Sequence, residues 1–309
     1  MTYLNVVEPY SKVNSICRVS ESSNIVTSIL RILSGTVMIE NVTKNKLLDL
    51  RKFCNKPPQI SNSCYIEHFS GINSHRIAGI FYKALSDDIS INDYNTFSKK
   101  VIHSNAGFFK TLYNEILYCI WNKHTGKDTN SFIHIYRILE HISYAFPFLY
   151  ISKTKDFIGS YNKFKSFFNS QSGDKKSELS FFKSFLSLSL KDDAEFSPLL
   201  SREMIFNLIG EDEHKKNYLN VIKKHIDNDL IISSSLIDYS LVINWSTIPQ
   251  LIINLRNKYF HYNNSQADNI TSDEIIDSDQ FFMNLNSNFI KWFTILFIII
   301  LNTLYDKLM

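Results

Sequence analysis

The stretch "FFMNLNSNFIKWFTILFIIILNTLY", residues 281–305, leaves few architectures open to this chain. Its most apolar part, "WFTILFIIIL" at 292–301, falls well short of the roughly 20 apolar residues that a membrane span needs. Lys291 precedes it and Asn302 follows it. The stretch therefore predicts a long helix buried on all sides, which other helices must surround. The 309 residues contain only eight glycines and six prolines, too few for the turns of a sandwich or barrel. A mainly α protein is expected, soluble and cytoplasmic, since the start "MTYLNVVEPYSK" lacks the charged and apolar regions of a secretory signal.

Along the chain, residues 1–100 read as an irregular accessory or sensor region. In it "TSILRILSGTVMIENV" passes from helix to strand, and "CNKPPQISNSC" forms a turn-rich loop. From 106 the pattern becomes regular. "GFFKTLYNEILYCIWNKH" and "SFIHIYRILEHISYAF" carry apolar residues at helical spacing on either side of a turn at 126–130, which predicts a helical hairpin. Residues 151–240 read as a helical insertion, with exposed breaks at 169–180 and at "GEDEHKK", 210–216. The last helix is expected to begin near Ser272, where acids suit a helix N-terminus.

Several chemistries find little support. Cys17, Cys54, Cys64 and Cys119 are too few and too scattered for a disulfide framework and read as free thiols. Cys54, Cys64, His68 and His75 have the ligand types of a zinc site but not the spacing of a short knuckle, so no metal or other cofactor is expected. There is no Gly-rich phosphate loop, no GxSxG elbow and no HExxH. A net charge of +3 permits a polyanionic partner without requiring one. Lys163, Lys165, Lys175, Lys176 and Lys183 alternate with aromatic residues in a way that suits nucleic acid, although an ordinary amphipathic helix pair explains them as well.

The segment "LIINLRNKYFHYNN", 251–264, sets Arg256, Asn257 and His261 into an otherwise apolar and aromatic run. On an ideal helix Ile248, Leu251, Ile252, Leu255, Tyr259 and Tyr262 share one stripe, the expected core face. Arg256, Asn257 and His261 fall on the far side, with Asn257 and His261 a turn apart. That side also carries Ile253 and Phe260. The helix is therefore expected to be covered on two faces, the second by another copy of the chain.

Arg-Asn-x-x-x-His, written here as "RNKYFH" near the end of a helix, resembles the signature of the HEPN superfamily of helical ribonucleases and nucleotide-binding proteins. An Arg with a His four to six residues later arises about 0.6 times by chance in such a chain; with Asn directly after the Arg the figure is about 0.06. The resemblance covers the hairpin at 106–150 and the two terminal helices. It implies a HEPN-like helical domain over 101–309, a homodimer that brings two motifs into one cleft, and metal-independent cleavage of RNA. Many members are toxins or effectors of antiviral defence, so an antitoxin or defence-system protein is a further expected partner, and a membrane is not. The resemblance also makes Glu140 a polar partner for the cluster, although Arg137 and Glu140, three residues apart, read equally as an ion pair on a solvated face; Arg137 and Tyr259 are further supporting candidates.

The chemistry of the trio fits that expectation. A ribose 2′-hydroxyl can attack its neighbouring phosphate if a group titrating near neutrality handles the proton, which suits His261. Arg256 offers a planar fork of donors to the phosphate, and Asn257 can orient either. Two other readings stay open: a non-catalytic helical module that binds RNA, a nucleotide or a protein through the same surface, and a structural subunit in which Arg256 and His261 merely cap a helix end.

Overall fold

The computed structural model describes residues 24–26, 29, 33, 91–151, 158, 161, 162, 165, 182, 185, 186, 203–260 and 269–308. Their elements run α1 (Ile91–His124), α2 (Asp128–Ile151), β1 (Glu203–Asn207), α3 (Asp212–His225), β2 (Ile231–Ser235), β3 (Ser240–Asn244), α4 (Ile248–Phe260) and α5 (Ser278–Leu308). Helix dominates, as the scarcity of glycine and proline predicts. The chain divides into two compact units, residues 1–125 with 290–309, and residues 126–289.

In the first unit α1 runs straight through residues 100 and 101, where the sequence reading put its domain boundary. The break in this helix comes at Asn105, whose φ of −133° and ψ of 27° leave the helical region. Its Nδ2 donates to the Val101 carbonyl at 3.0 Å, meeting an acceptor at the kink. Further on, Phe109, Leu112, Ile116 and Ile120 fall at helical spacing and are buried, and Cys119, which is in no disulfide, is buried with them. The helix gives way to a turn in which Gly126 has a φ of +71°. The later part of α5 carries the apolar run at 292–301. Trp292 to Phe297, Ile300 and Leu301 are buried, and among the described residues no helix is long and apolar enough to cross a membrane. Lys291 is only 7% exposed; burial, and secondarily the charge of Lys123, hold its ammonium below the ordinary lysine value. Val26, Ile29 and Leu33 are buried helical positions. The strand expected after them and the cysteines and histidines at 54–75 lie outside the described residues.

The second unit departs from expectation. Residues 203–244 hold an antiparallel three-stranded sheet of order β1-β3-β2 in place of an all-helical insertion. "EMIFN" and "SLVIN" alternate: Met204 and Phe206 turn inward, as do Leu241 and Ile243 opposite them in register. Five-residue strands are too short to stand out against the helical periodicity around them. "GEDEHKK" is also more than a loop. Gly210, at φ +134°, makes the turn, and its missing Cβ leaves room for Gln280, whose Nε2 would lie 2.8 Å from that atom. The acids that follow then open α3, where negative charge suits the positive end of the helix.

Three buried asparagines on α5 hold this unit together. Asn284 bonds Ile209 in both directions, accepting from its backbone N–H at 2.5 Å and donating to its carbonyl at 3.3 Å, and also donates to the Gln280 carbonyl at 2.9 Å. Asn288 donates to the Ile205 carbonyl of β1 at 3.1 Å. Asn286 donates to the carbonyl and the carboxylate of Asp128, at 2.8 and 3.0 Å. Asp128 is itself buried, so there the side chain satisfies groups that have left water. The helix itself starts at Ser278, not near Ser272, with Asp277 accepting from the Gln280 N–H at 3.1 Å in the manner of an N-cap. Glu274, which looked like an acid of the first turn, is used elsewhere.

Candidate functional site

Helix α4 follows a short 3-10 turn at Trp245–Thr247 and carries Pro249 in its first turn, where a missing N–H costs nothing. Ile248, Leu251, Ile252 and Leu255 are buried, which is the core face expected from their spacing. Tyr259 continues it, with its ring 5.3 Å from that of Phe282 on α5.

The far side is arranged differently from the expectation. Phe260 stacks on Phe132 of α2 with ring centroids 5.9 Å apart and planes within 10°, and it also meets Phe282. One turn earlier in α4, the Arg256 guanidinium carbon lies 4.7 Å from the ring centroid of Tyr136, one turn later in α2. Contacts that advance along one helix while retreating along the other make α2 and α4 antiparallel. Arg256 and Phe260 sit about 80° and 120° around the helix from Ile248, so they form a flank, not an opposite face. Helix α2 of the same chain covers that flank. The second copy inferred from Ile253 and Phe260 is not needed to explain Phe260. Asn257, about 180° from Ile248, is the member of the described pair that faces solvent.

The pair is linked directly. Arg256 Nη1 donates to Asn257 Oδ1 at 3.0 Å, and among the described residues Tyr136 and Asn257 are the only groups in contact with the Arg256 head group. One hydrogen bond and one ring contact leave most of the five N–H donors of a guanidinium available. Arg256 thus keeps most of its fork.

The supporting residues fare unevenly. Tyr259 adjoins the flank through Phe260, at 4.8 Å edge to face. Arg137 and Glu140 are exposed on α2. Because the helices are antiparallel, Glu140 lies a further turn, about 6 Å, beyond Tyr136 and away from the Phe260 end. It is therefore poorly placed to serve a cluster extending from Arg256 towards the end of α4. Tyr136 holds the position facing Arg256 on α2, and nothing in "IHIYRILE" marks it beyond a place on the apolar face. His261 lies outside the described residues, as do Lys163, Lys175, Lys176 and Lys183; Lys165 occupies an exposed helical position.

The end of α4 is nevertheless fixed. The Ile270 N–H donates to the Lys258 carbonyl at 2.8 Å, so the chain on the far side of residues 261–268 returns to the helix it left. That return is held in turn by Glu274, which accepts from the Thr271 N–H at 3.2 Å and from the buried His225 Nε2 at 2.9 Å, and pairs with Lys224. Burial alone would raise the Glu274 carboxyl. The bonds from Lys224 and Thr271 and the nearby His225 outweigh it and bring the group below its ordinary value of 4.5.

No protein-family model, curated protein or solved structure matches this chain.

Proposed function

We propose that the protein is a metal-independent endoribonuclease acting through Arg256, Asn257 and His261. One observation carries the reading. An arginine bonded to the adjacent asparagine, seated over an aromatic ring and facing no described carboxylate, stands in the closing turns of α4, five residues before a histidine in the order Arg-Asn-x-x-x-His.

That inventory of a cation, an amide and an imidazole suits one reaction above others. The RNA 2′-oxygen attacks the adjacent phosphorus and gives up its proton to an imidazole. The bond from phosphorus to the 5′-oxygen breaks, and that oxygen takes a proton as it leaves. The products are a 2′,3′-cyclic phosphate and a free 5′-hydroxyl. Arg256 meets the negative charge that builds on the phosphoryl oxygens, and Asn257 holds the Arg256 fork in register. The motif itself brings no acidic cluster able to hold magnesium.

In this reading the protein is a toxin or effector, of antiviral defence or of a toxin–antitoxin pair, restrained by a partner protein. Two copies share a cleft and approach on the Asn257 side, since Arg256 and Phe260 are turned towards α2. A non-catalytic module binding RNA through the same surface is the competing reading, favoured by the fact that Arg256 already has two partners.

The test is an RNA oligonucleotide incubated with pure protein and excess chelator, beside a copy with deoxyribose at the scissile position. Cleavage is expected of the first and not of the second, with a loss of about 10²- to 10⁴-fold in His261→Ala. Activity that disappears with chelator, or persists in His261→Ala, overturns the assignment.

A further inference from the structure

We infer that Tyr136 is the positioning residue of this site: its ring holds the Arg256 guanidinium in place with its remaining donors open to a phosphodiester. The inference rests on the ribonuclease reading above and adds to it a residue on a different helix.

The sequence resemblance directed attention to a carboxylate on α2, and a carboxylate there would do something else. A bidentate acid occupies the in-plane donors of an arginine and cancels its charge, leaving little for a phosphate. An aromatic ring engages the face and leaves the edge free. The observed partner on α2 is a ring and not an acid. The Arg256 carbon is 4.7 Å from the Tyr136 centroid, Nη1 is used by Asn257 at 3.0 Å, and Tyr136 is buried on α2. A buried ring cannot swing with its ligand, so it fixes the plane in which the remaining donors point.

The platform beneath it is rigid for a reason visible one turn away. Phe132 and Phe260 stack within 10° of parallel, and Phe132 packs in turn on Phe282 at 4.6 Å and on Phe289 at 6.0 Å. These rings lock the register between α2 and α4, which places Tyr136 under Arg256 and nowhere else along the helix. Arginine loses rotamer freedom when it binds an anion, and prior stacking removes part of that cost before the RNA arrives. The effect belongs to positioning, so it should appear in the rate of the cleavage step more than in the affinity for RNA.

The experiment compares the full chain with Tyr136→Phe, Tyr136→Leu and Tyr136→Met, reading kcat, KM and the NMR signal of the Arg256 side-chain Nε–Hε, assigned by its disappearance in Arg256→Lys. Tyr136→Phe keeps the ring and is expected to retain the ring-current shift of Hε and to lose less than about threefold in kcat. Tyr136→Leu and Tyr136→Met keep the apolar volume and lose the π face. They are expected to move Hε to its position in a solvated arginine and to lower kcat by about 3- to 30-fold with little change in KM. An unshifted Hε in both aliphatic variants overturns the inference, as does a kcat equal to that of the wild type. Two aliphatic shapes are used so that a fold intolerant of one still decides through the other. Wild-type protein that cleaves no RNA defeats the ribonuclease reading alone, and the Hε comparison then decides by itself whether Tyr136 positions Arg256.

Discussion

Helices α4 and α5 both carry polar side chains in apolar surroundings, and they use them in opposite ways. On α5, Asn284, Asn286 and Asn288 are buried, and each reaches a group distant in the chain: Ile209, Asp128 and Ile205. On α4, Arg256 bonds to the residue beside it and rests on a ring, while Asn257 stays in solvent. The first arrangement spends its amide donors on architecture. The second leaves capacity over, which is what a site requires.

Three changes test that contrast. The largest effect is expected from Asn286→Ala, which strips two bonds from a buried aspartate at the start of α2; a loss of about 2–4 kcal/mol in urea unfolding follows from leaving Asp128 buried and under-bonded. Cleavage per folded molecule should not change, and if it falls with the α5 variant the separation of roles is wrong.

Phe260→Asp comes next. Its ring stacks on Phe132 within the chain, so a charge there should cost about 1–3 kcal/mol of folding stability. Sedimentation of the folded variant should show the same oligomeric state as the wild type. Dissociation without destabilisation would restore a face shared between copies.

The smallest effect concerns acid. The folded state holds the Glu274 carboxyl below 4.5, so its contribution is present above that value and is lost as pH falls through the lowered one. Wild type should therefore exceed Glu274→Gln in thermal midpoint at pH 7, and the two should converge once the pH falls below the lowered value. A gap independent of pH would mean that Glu274 acts through shape and not through charge.

Much of this was legible in the sequence. The spacing in "SFIHIYRILEHISYAF" marks α2, that in "LIINLRNKYF" marks α4, and the apolar run at 292–301 marks a buried helix, because helical periodicity is local. What escaped depends on partners far away. That α2 covers the flank of α4 cannot be read from α4, where Phe260 merely looks exposed on a wheel. The β-sheet hides in five-residue strands whose alternation is overrun by neighbouring helical patterns. Glu274 resembles a helix-opening acid until Lys224 and His225 are brought to it from α3. Of the site, residue types and spacing were visible, whereas the ring under Arg256 was not.

The two-way bond between Asn284 and Ile209 has a consequence for how the chain comes together. The ribosome delivers these residues in order, and 75 positions separate them; Asn286 and Asp128 stand 158 apart. Until α5 emerges, the edge of β1 and the start of α2 must keep their water, since nothing yet made can replace it. The last helix therefore acts as a fastener. When it docks, its amides replace that water at several places at once, in β1, after it and at the start of α2.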